Sequence, residues 1–303
     1  MNYKKLFSNQ DLRFKILKAL SWVPDSVMLR VQYRIKMGFW PNFKTPQRYT
    51  EILQLYKMNY RNPVMGKCVD KYEVREYVES KGLSRILNKC YGIYDDANEI
   101  DISKLPDSFV AKTTDGGGGQ NVIIVRDKTQ LDEAQFKSKL NHWKGNIIKM
   151  DPGREWAYTQ MTSSRIIVEE LLEDDTTGDG SIDDYKLMCY NGKFHCLWVD
   201  KGRYSDHHRG FWDGDLNFLE GVYSDHDTFT TPPALPDNMK EMVVIAEKLS
   251  EDFPYARVDL YNIKGKIYFG EITFYPWSGY VKFHPDSFDY ELGKWFDIKA
   301  LKR

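Results

Sequence analysis

YARVDLYNIKGKIYFGEITFYPWSG, residues 255–279, decides how the rest of the chain is read. Arg257 to Asn262 and Lys266 to Phe274 are rich in Val, Leu, Ile, Tyr and Phe. A glycine-containing turn at Ile263, Lys264 and Gly265 separates them, so the stretch predicts a β-hairpin. Side chains alternate along a strand. Arg257, Asp259 and Tyr261 therefore share one face, and Phe269, Glu271 and Thr273 share another. A three- or five-residue loop puts both sets on the same side, with Asp259 and Glu271 as diagonal neighbours and Arg257 facing Glu271. Two carboxylates so placed repel unless a cation lies between them. Mg²⁺, held by one or two carboxylates plus phosphate oxygens, suits the pair. The competing reading is an edge hairpin whose acids face water, and the hairpin alone does not separate the two.

Composition bounds the choices. The chain has 303 residues, enough for about two domains, with 15% aromatic residues and a net charge of −1. No broad basic field points to nucleic acid. Cys68, Cys90, Cys189 and Cys196 form no C-x-x-C pair and read as reduced cysteines of a cytoplasmic protein, not as a disulfide frame or zinc site. No apolar run approaches the ~20 residues of a membrane span, and the N-terminus lacks a signal-peptide core. Lys4, Lys5, Arg13, Lys15 and Lys18 interleave with Phe14, Ile16, Leu17, Leu20 and Trp22. That basic amphipathic pattern suits either packing on its own domain or an anionic surface at the inner face of a membrane.

Outward from the hairpin, four units are expected: a helical segment (1–65), a small α/β unit (66–105), a β-rich lobe (106–172) and a C-terminal lobe (173–303). Helical spacing marks 12–23, 26–38 and 48–60, and Gly38 and Pro41 end the second of these. Asp70 caps a helix beginning at Lys71 and ending at Gly82. Strands are predicted over 109–112, 122–125, 165–172, 185–190 and 194–199, the last two joined by an Asn191-Gly192 turn. Residues 131–143 and 238–253 read as helices, and 201–236 as mostly loop.

FVAKTTDGGGGQNVII, residues 109–124, is the hairpin's strongest partner. A strand ends in Lys112, and Gly116, Gly117, Gly118 and Gly119 follow. Such a loop turns backbone N–H groups toward an anion, with Lys112 at its mouth. It is not a P-loop, because no G-K-[ST] follows and a strand resumes. Lys71 is a second candidate phosphate contact, although one lysine on a helix is ordinarily solvated. Glu169 and Glu170 end a buried run and can offer a carboxylate or carbonyl to a purine amino group. Asp184 and Lys186 share a strand face; Lys186 reads as a phosphate contact or as half of a surface ion pair. In KGRYSDHHRGFWDGD, residues 201–215, Arg203, His208 and Arg209 suit an anionic acceptor such as a sugar carboxylate. Asp213 and Asp215 instead suit the DxD pair of a metal-dependent glycosyltransferase of surface-polysaccharide biosynthesis. Asp175 to Ile182 mimics an EF-hand loop, but Lys186 stands where the bidentate Glu is required.

Taken in order, Asp70-Lys71, FVAKTTDGGGG, VEELL, DYK and RVDLY…GEITFYPWSG resemble an ATP-grasp enzyme. Trp22 to Pro41 and the R-x-x-x-H-H-R loop resemble the TupA-like (teichuronopeptide biosynthesis) branch, found with capsule and cell-surface polysaccharide genes. The resemblance implies an α+β fold in which two lobes with antiparallel sheets grip ATP. It implies Lys71 and Lys112 on phosphates under the glycine loop, and Glu169, Glu170 and Leu172 at the adenine. It further implies Mg²⁺ on Asp259 and Glu271, with Arg257 steadying the transferred phosphoryl group; Arg257 and Lys112 are the expected catalytic residues. Many members place Asn where Thr273 stands here, and a hydroxyl is the poorer metal ligand. The implied reaction joins a carboxylate, a uronic acid of a surface polysaccharide, to an amine through an acyl phosphate.

Overall fold

The computed structural model describes residues 17, 19–116, 121–145, 153–175, 180–202 and 206–302. The first predicted helix lies largely outside them. Nine strands form two antiparallel sheets among the described residues. Sheet one holds β1 (Cys90–Tyr94), β2 (Phe109–Thr113), β3 (Val122–Val125) and β4 (Ile166–Glu169), in the order β1-β4-β2-β3. Sheet two holds β5 (Asp184–Tyr190), β6 (Lys193–Lys201), β7 (His208–Trp212), β8 (Tyr255–Ile263) and β9 (Lys266–Thr273), in the order β7-β6-β5-β8-β9. The helices are α1 (Asp25–Met37), α2 (Tyr49–Asn59), α3 (Val64–Val69), α4 (Val74–Ser80), α5 (Glu133–Trp143), α6 (Trp156–Thr159), α7 (Met239–Ser250) and α8 (Ser287–Gly293).

Two hydrophobic cores result. The smaller packs Phe109, Ile166 and Val168 of sheet one against Phe136 and Leu140 of α5. The larger joins α2, α3 and α4 to sheet two, α7 and α8. Tyr49 and Tyr56 of α2 and Val78 of α4 thus share a core with strands of the C-terminal lobe. Met242, Ile245, Ala246 and Leu249 of α7 are fully buried and pack on sheet two. Met242, Ile245 and Leu249 each contribute about 1.5–3 kcal/mol relative to exposure. Covering one face this way leaves the alternate residues of β5, β6 and β8 to line the other.

Two sequence expectations need correction. The predicted helix from Lys71 is preceded by α3 and starts only at Val74. The Asp70 carboxylate accepts the Tyr72 and Glu73 N–H groups at 2.8 and 2.9 Å and its carbonyl accepts the Val74 N–H at 3.0 Å, the N-cap contacts expected of it, with a turn at 71–73 leading into the regular helix. The span 201–236 is mostly loop among its described residues, as expected, with one short strand, β7, partly charged, whose Arg209 pairs across the ladder with Asp200.

The hairpin turn is two residues, Lys264 and Gly265, at φ 51° and 83°, as a type I′ turn requires. With that turn alone, Asp259 would sit opposite Gly270. A bulge between Asp259 and Leu260 shifts the register, so Asp259 pairs directly with Glu271, and Arg257 with Thr273. The carboxylates are therefore opposite, not diagonal. Gly270 is the extra residue, and a Cβ there would come within 2.9 Å of the Asp259 carbonyl oxygen.

Candidate active site

The cleft face of sheet two carries its charges in rows set by the register. Glu271, Asp259, Lys186 and Trp198 are successive cross-strand neighbours on β9, β8, β5 and β6. Asp184, Asp200 and Arg209 form the next row on β5, β6 and β7. Arg257 Nε and Nη2 donate to the two Asp259 oxygens, each at 2.6 Å. Its Nη2 also donates to Glu271 Oε1 and Thr273 Oγ1, each at 2.9 Å. Lys186 Nζ donates to Asp259 at 2.7 Å and to Asp184, and lies 4.0 Å from Asp200. Lys186 and Asp184 are both buried, so the reading of a solvated surface pair does not hold. Arg209 donates to both Asp200 oxygens at 2.6 and 3.1 Å and to Asp225. The buried Trp198 indole lies under these cations, 4.8 Å from the Arg257 guanidinium carbon and 5.2 Å from that of Arg209.

These contacts set the protonation states. Burial works to raise the Glu271 carboxyl, but Arg257, Lys71 and Lys186 outweigh it and hold its pKa at about 2. Burial raises Asp259 to about 6 against the pull of Arg257 and Lys186, which still leaves it ionised at neutral pH. Asp200 is also opposed by burial, yet Arg209 and Lys186 hold it well below the usual carboxylate range. Two ionised carboxylates facing one another across a hairpin fit Mg²⁺, which needs only one or two beside phosphate oxygens and water. Glu271 keeps 45% of its side chain open to the cleft. No group of three or more His, Cys, Asp or Glu able to hold a metal occurs among the described residues, so phosphate oxygens or water would complete the coordination of Mg²⁺ on Asp259 and Glu271.

Sheet one supplies the facing wall. Lys112, near the end of β2, meets Glu169 of β4 at 2.5 Å, and Arg75 of α4 meets the same carboxylate at 3.2 Å. Lys71 Nζ donates to the carbonyl of Gly116, the first glycine of the loop, and its backbone N–H donates to Thr114 at 3.0 Å. Desolvation lowers the Lys71 pKa, Glu271 opposes that, and Lys112 adds to it. Lys71 therefore feels charges on both walls.

Between the walls lies a cavity of about 390 Å³. It brings together Lys71, Lys112, Glu169, Glu170, Leu172, Lys186, Arg209, Arg257, Asp259 and Glu271 of the predicted set. Gly116 begins the loop beside Lys71, and Thr273 donates to Glu271 Oε1 at 2.9 Å. Gly117, Gly118, Gly119 and Arg203 lie outside the described residues. His208 is not on the cavity wall; it bonds the Asp206 carbonyl and stacks on Phe229, because alternation on β7 turns it away from Arg209. Asp213 accepts the N–H groups of Asp215 and Asn217 at 2.9 and 2.8 Å, closing a turn outside the cavity wall.

Sequence reading missed Arg75, Trp198, Asp200 and Trp277, all of which line the cavity. Trp198-Val199-Asp200 repeats the alternation of Asp184-Tyr185-Lys186 on the paired strand, and that pattern was the available signal. Trp277 follows from a different device. Trp277 and Ser278 take left-handed backbone conformations, at φ 50° and 56°. Helix α2 clamps them: Lys57 Nζ donates to Ser278 O at 2.6 Å, and Gln54 Nε2 to Gly279 O at 3.0 Å. The clamp sets the Trp277 ring 4.2 Å from Trp198, with its Nε1 donating to Asp225 at 3.2 Å.

Comparison with known proteins places this arrangement. No curated protein sequence matches. Among solved structures, a D-alanine–D-alanine ligase from Bacillus anthracis is 20% identical, with 75% of this chain and 65% of that one covered and a TM-score of 0.44. An L-amino acid ligase from Bacillus licheniformis is 14% identical, with 98% and 63% covered and a TM-score of 0.47. The chain spans less than two thirds of the length of either. The family model for TupA-like ATP-grasp proteins matches residues 51–297. A match over that span shows that the chain belongs to the TupA-like ATP-grasp family and has its α+β fold.

Proposed function

We propose that this protein is an ATP-dependent carboxylate–amine ligase. The observation that carries the reading is the Asp259–Glu271 pair, set opposite one another on sheet two and facing Lys71 and Lys112 across the cavity. Asp259 and Glu271 would hold Mg²⁺, which would neutralise phosphate charge. Lys71, Lys112 and Lys186 hold the phosphates, and the backbone along Glu169, Glu170 and Leu172 receives the adenine. Arg257, anchored by Asp259 and Glu271, stands where the transferred phosphoryl group gathers charge. The acceptor carboxylate oxygen attacks the γ-phosphorus, the bond to the β–γ bridging oxygen breaks, and ADP leaves. The amine then attacks the acyl carbon, its nitrogen loses a proton, and phosphate departs as the amide forms.

We place the acceptor at the Arg209 and Trp277 corner of the cavity, where a cation stands beside an indole face as a sugar acid would need. A uronic acid of a surface polysaccharide is the acceptor this reading favours, with an amino acid or small amine as nucleophile. The test is product release from ATP with a panel of uronic acids and amines. ADP and phosphate should appear only when both co-substrates are present. AMP and pyrophosphate would sink the ligase reading. Turnover with amino acid carboxylates alone would sink the sugar acid while leaving the ligase.

A further inference from the structure

Charge is divided unevenly along the chain. Residues 1–40 hold eight Lys and Arg against two Asp, a net charge of +6, while the whole chain sums to −1 and the other 263 residues therefore carry −7. Of the two aspartates, Asp25 is already paired with Arg154 at 2.6 Å. From Ser26 to Thr50 there is no acidic residue.

Helix α1 lies in this basic region and turns apolar side chains outward. Met28, Leu29, Tyr33 and Met37 are buried and fix it to the body. Val27, Val31 and Ile35, one face at intervals of four, are 49%, 40% and 48% exposed. The stripe is about 12 Å long at 1.5 Å per residue. Trp22 before the helix is 78% exposed, and Trp40 after it 63%. Arg30 and Arg34 flank the stripe and are exposed, Arg30 resting over Phe43 and Arg34 bonding the Gly38 carbonyl. Isolated exposed apolar residues are ordinary, but five within 22–40 beside arginines form a patch.

We infer that this face of α1 docks on an anionic lipid surface. The charge argues for that occupant over a second copy of the chain: two such faces would bring the arginines of one against those of the other. The arrangement is that of a helix lying in the interface plane, with valines and isoleucine toward the acyl boundary, arginines at the headgroups and tryptophans at both ends. The inference stands apart from the ligase reading, since none of these residues lines the cavity.

The test is co-sedimentation of the full chain with phosphatidylglycerol–phosphatidylcholine vesicles and with phosphatidylcholine vesicles, at low and high salt. Binding is expected only to the anionic vesicles, and should weaken as salt rises. Arg30→Glu/Arg34→Glu should lower it at least about tenfold, Arg30→Lys/Arg34→Lys should keep it, and Val31→Ser/Ile35→Ser should reduce it with the charge intact. Each variant should retain the wild-type melting temperature to within a few degrees. Equal binding to both vesicle types, or none at low salt, overturns the inference. So does a dimer in sedimentation velocity that Val31→Ser/Ile35→Ser dissolves, with no vesicle binding.

Discussion

On the sheet-two wall of the cleft, Asp184, Asp200, Asp259 and Glu271 face Lys186, Arg209 and Arg257, and all seven stand on paired strands. On the sheet-one wall, Lys71, Arg75, Lys112 and Arg126 face Glu169, Glu170 and Glu173, and only Lys112 and Glu169 stand on strands. One wall has an acidic excess locked to a ladder, and the other a basic excess carried by turns, strand ends and the start of a helix. Carboxylates on adjacent strands keep a fixed separation, which metal coordination needs. Lysines on long side chains near a glycine loop need no such precision to neutralise phosphates. A polyanion carrying a divalent cation satisfies both walls, whereas a bare anion satisfies only the basic one.

The comparison breaks most visibly at Glu271. Glu271→Gln keeps the shape and the Arg257 contact but removes the charge that faces the cleft. Turnover should fall about 10²–10³-fold, the scale of losing one charge-stabilising group, with the circular dichroism spectrum unchanged. ATP binding measured without metal should barely move. Unchanged ADP release in the variant would remove Glu271 from the metal site.

Asp200 tests whether the acidic wall is structural as well as chemical. Its side chain is fully buried between Arg209 and Lys186. Asp200→Asn leaves those cations short of a partner and should cost about 3 kcal/mol in urea unfolding at neutral pH. Since Asp200 is held below its unfolded value of about 3.9, its contribution is present above that pH and is lost as pH falls toward the folded value. The gap between wild type and variant should therefore be constant above about pH 5 and narrow below about pH 4. A gap that widens in acid would mean that Asp200 is protonated in the fold.

Lys112→Met probes the basic wall. It should weaken ATP binding about 10- to 100-fold in calorimetry, with or without Mg²⁺. Stability should change by less than about 1 kcal/mol, because Arg75 still pairs with Glu169 and the lost pair is partly exposed. An effect confined to the metal-loaded nucleotide would assign Lys112 to the opposite wall's chemistry.

How far the sequence carries depends on the same contrast. Asp259 and Glu271 were legible because alternation on a Val- and Ile-rich strand fixes which side chains share a face. Lys112 was legible because four glycines after a strand have few structural uses. The direct pairing of the two carboxylates was not, since it depends on a bulge that changes no apolar pattern. Strand β7 was hidden because Arg209 is charged and its burial is balanced by Asp200, nine residues away in sequence. Trp277 depends on a clamp by Lys57, 220 positions earlier, and no local pattern records such a contact.

Gly270→Ala sharpens the point about the bulge. The added methyl would meet the Asp259 carbonyl oxygen at 2.9 Å, and that atom belongs to the strand the bulge serves. Strand β8 cannot retreat freely, since β5 holds its other edge through Lys186↔Asp259 and Met188↔Arg257. Strand β9 must therefore give way, by a few tenths of an ångström, at an overpacking cost of about 1–2 kcal/mol. That shift moves Glu271 relative to Asp259 while leaving Lys71 and Lys112 in place. Mg²⁺-dependent turnover should fall several-fold, and metal-free ATP affinity should stay within twofold of wild type. Equal losses in both would mean that the two walls move as one body, and that the division of labour between them is wrong.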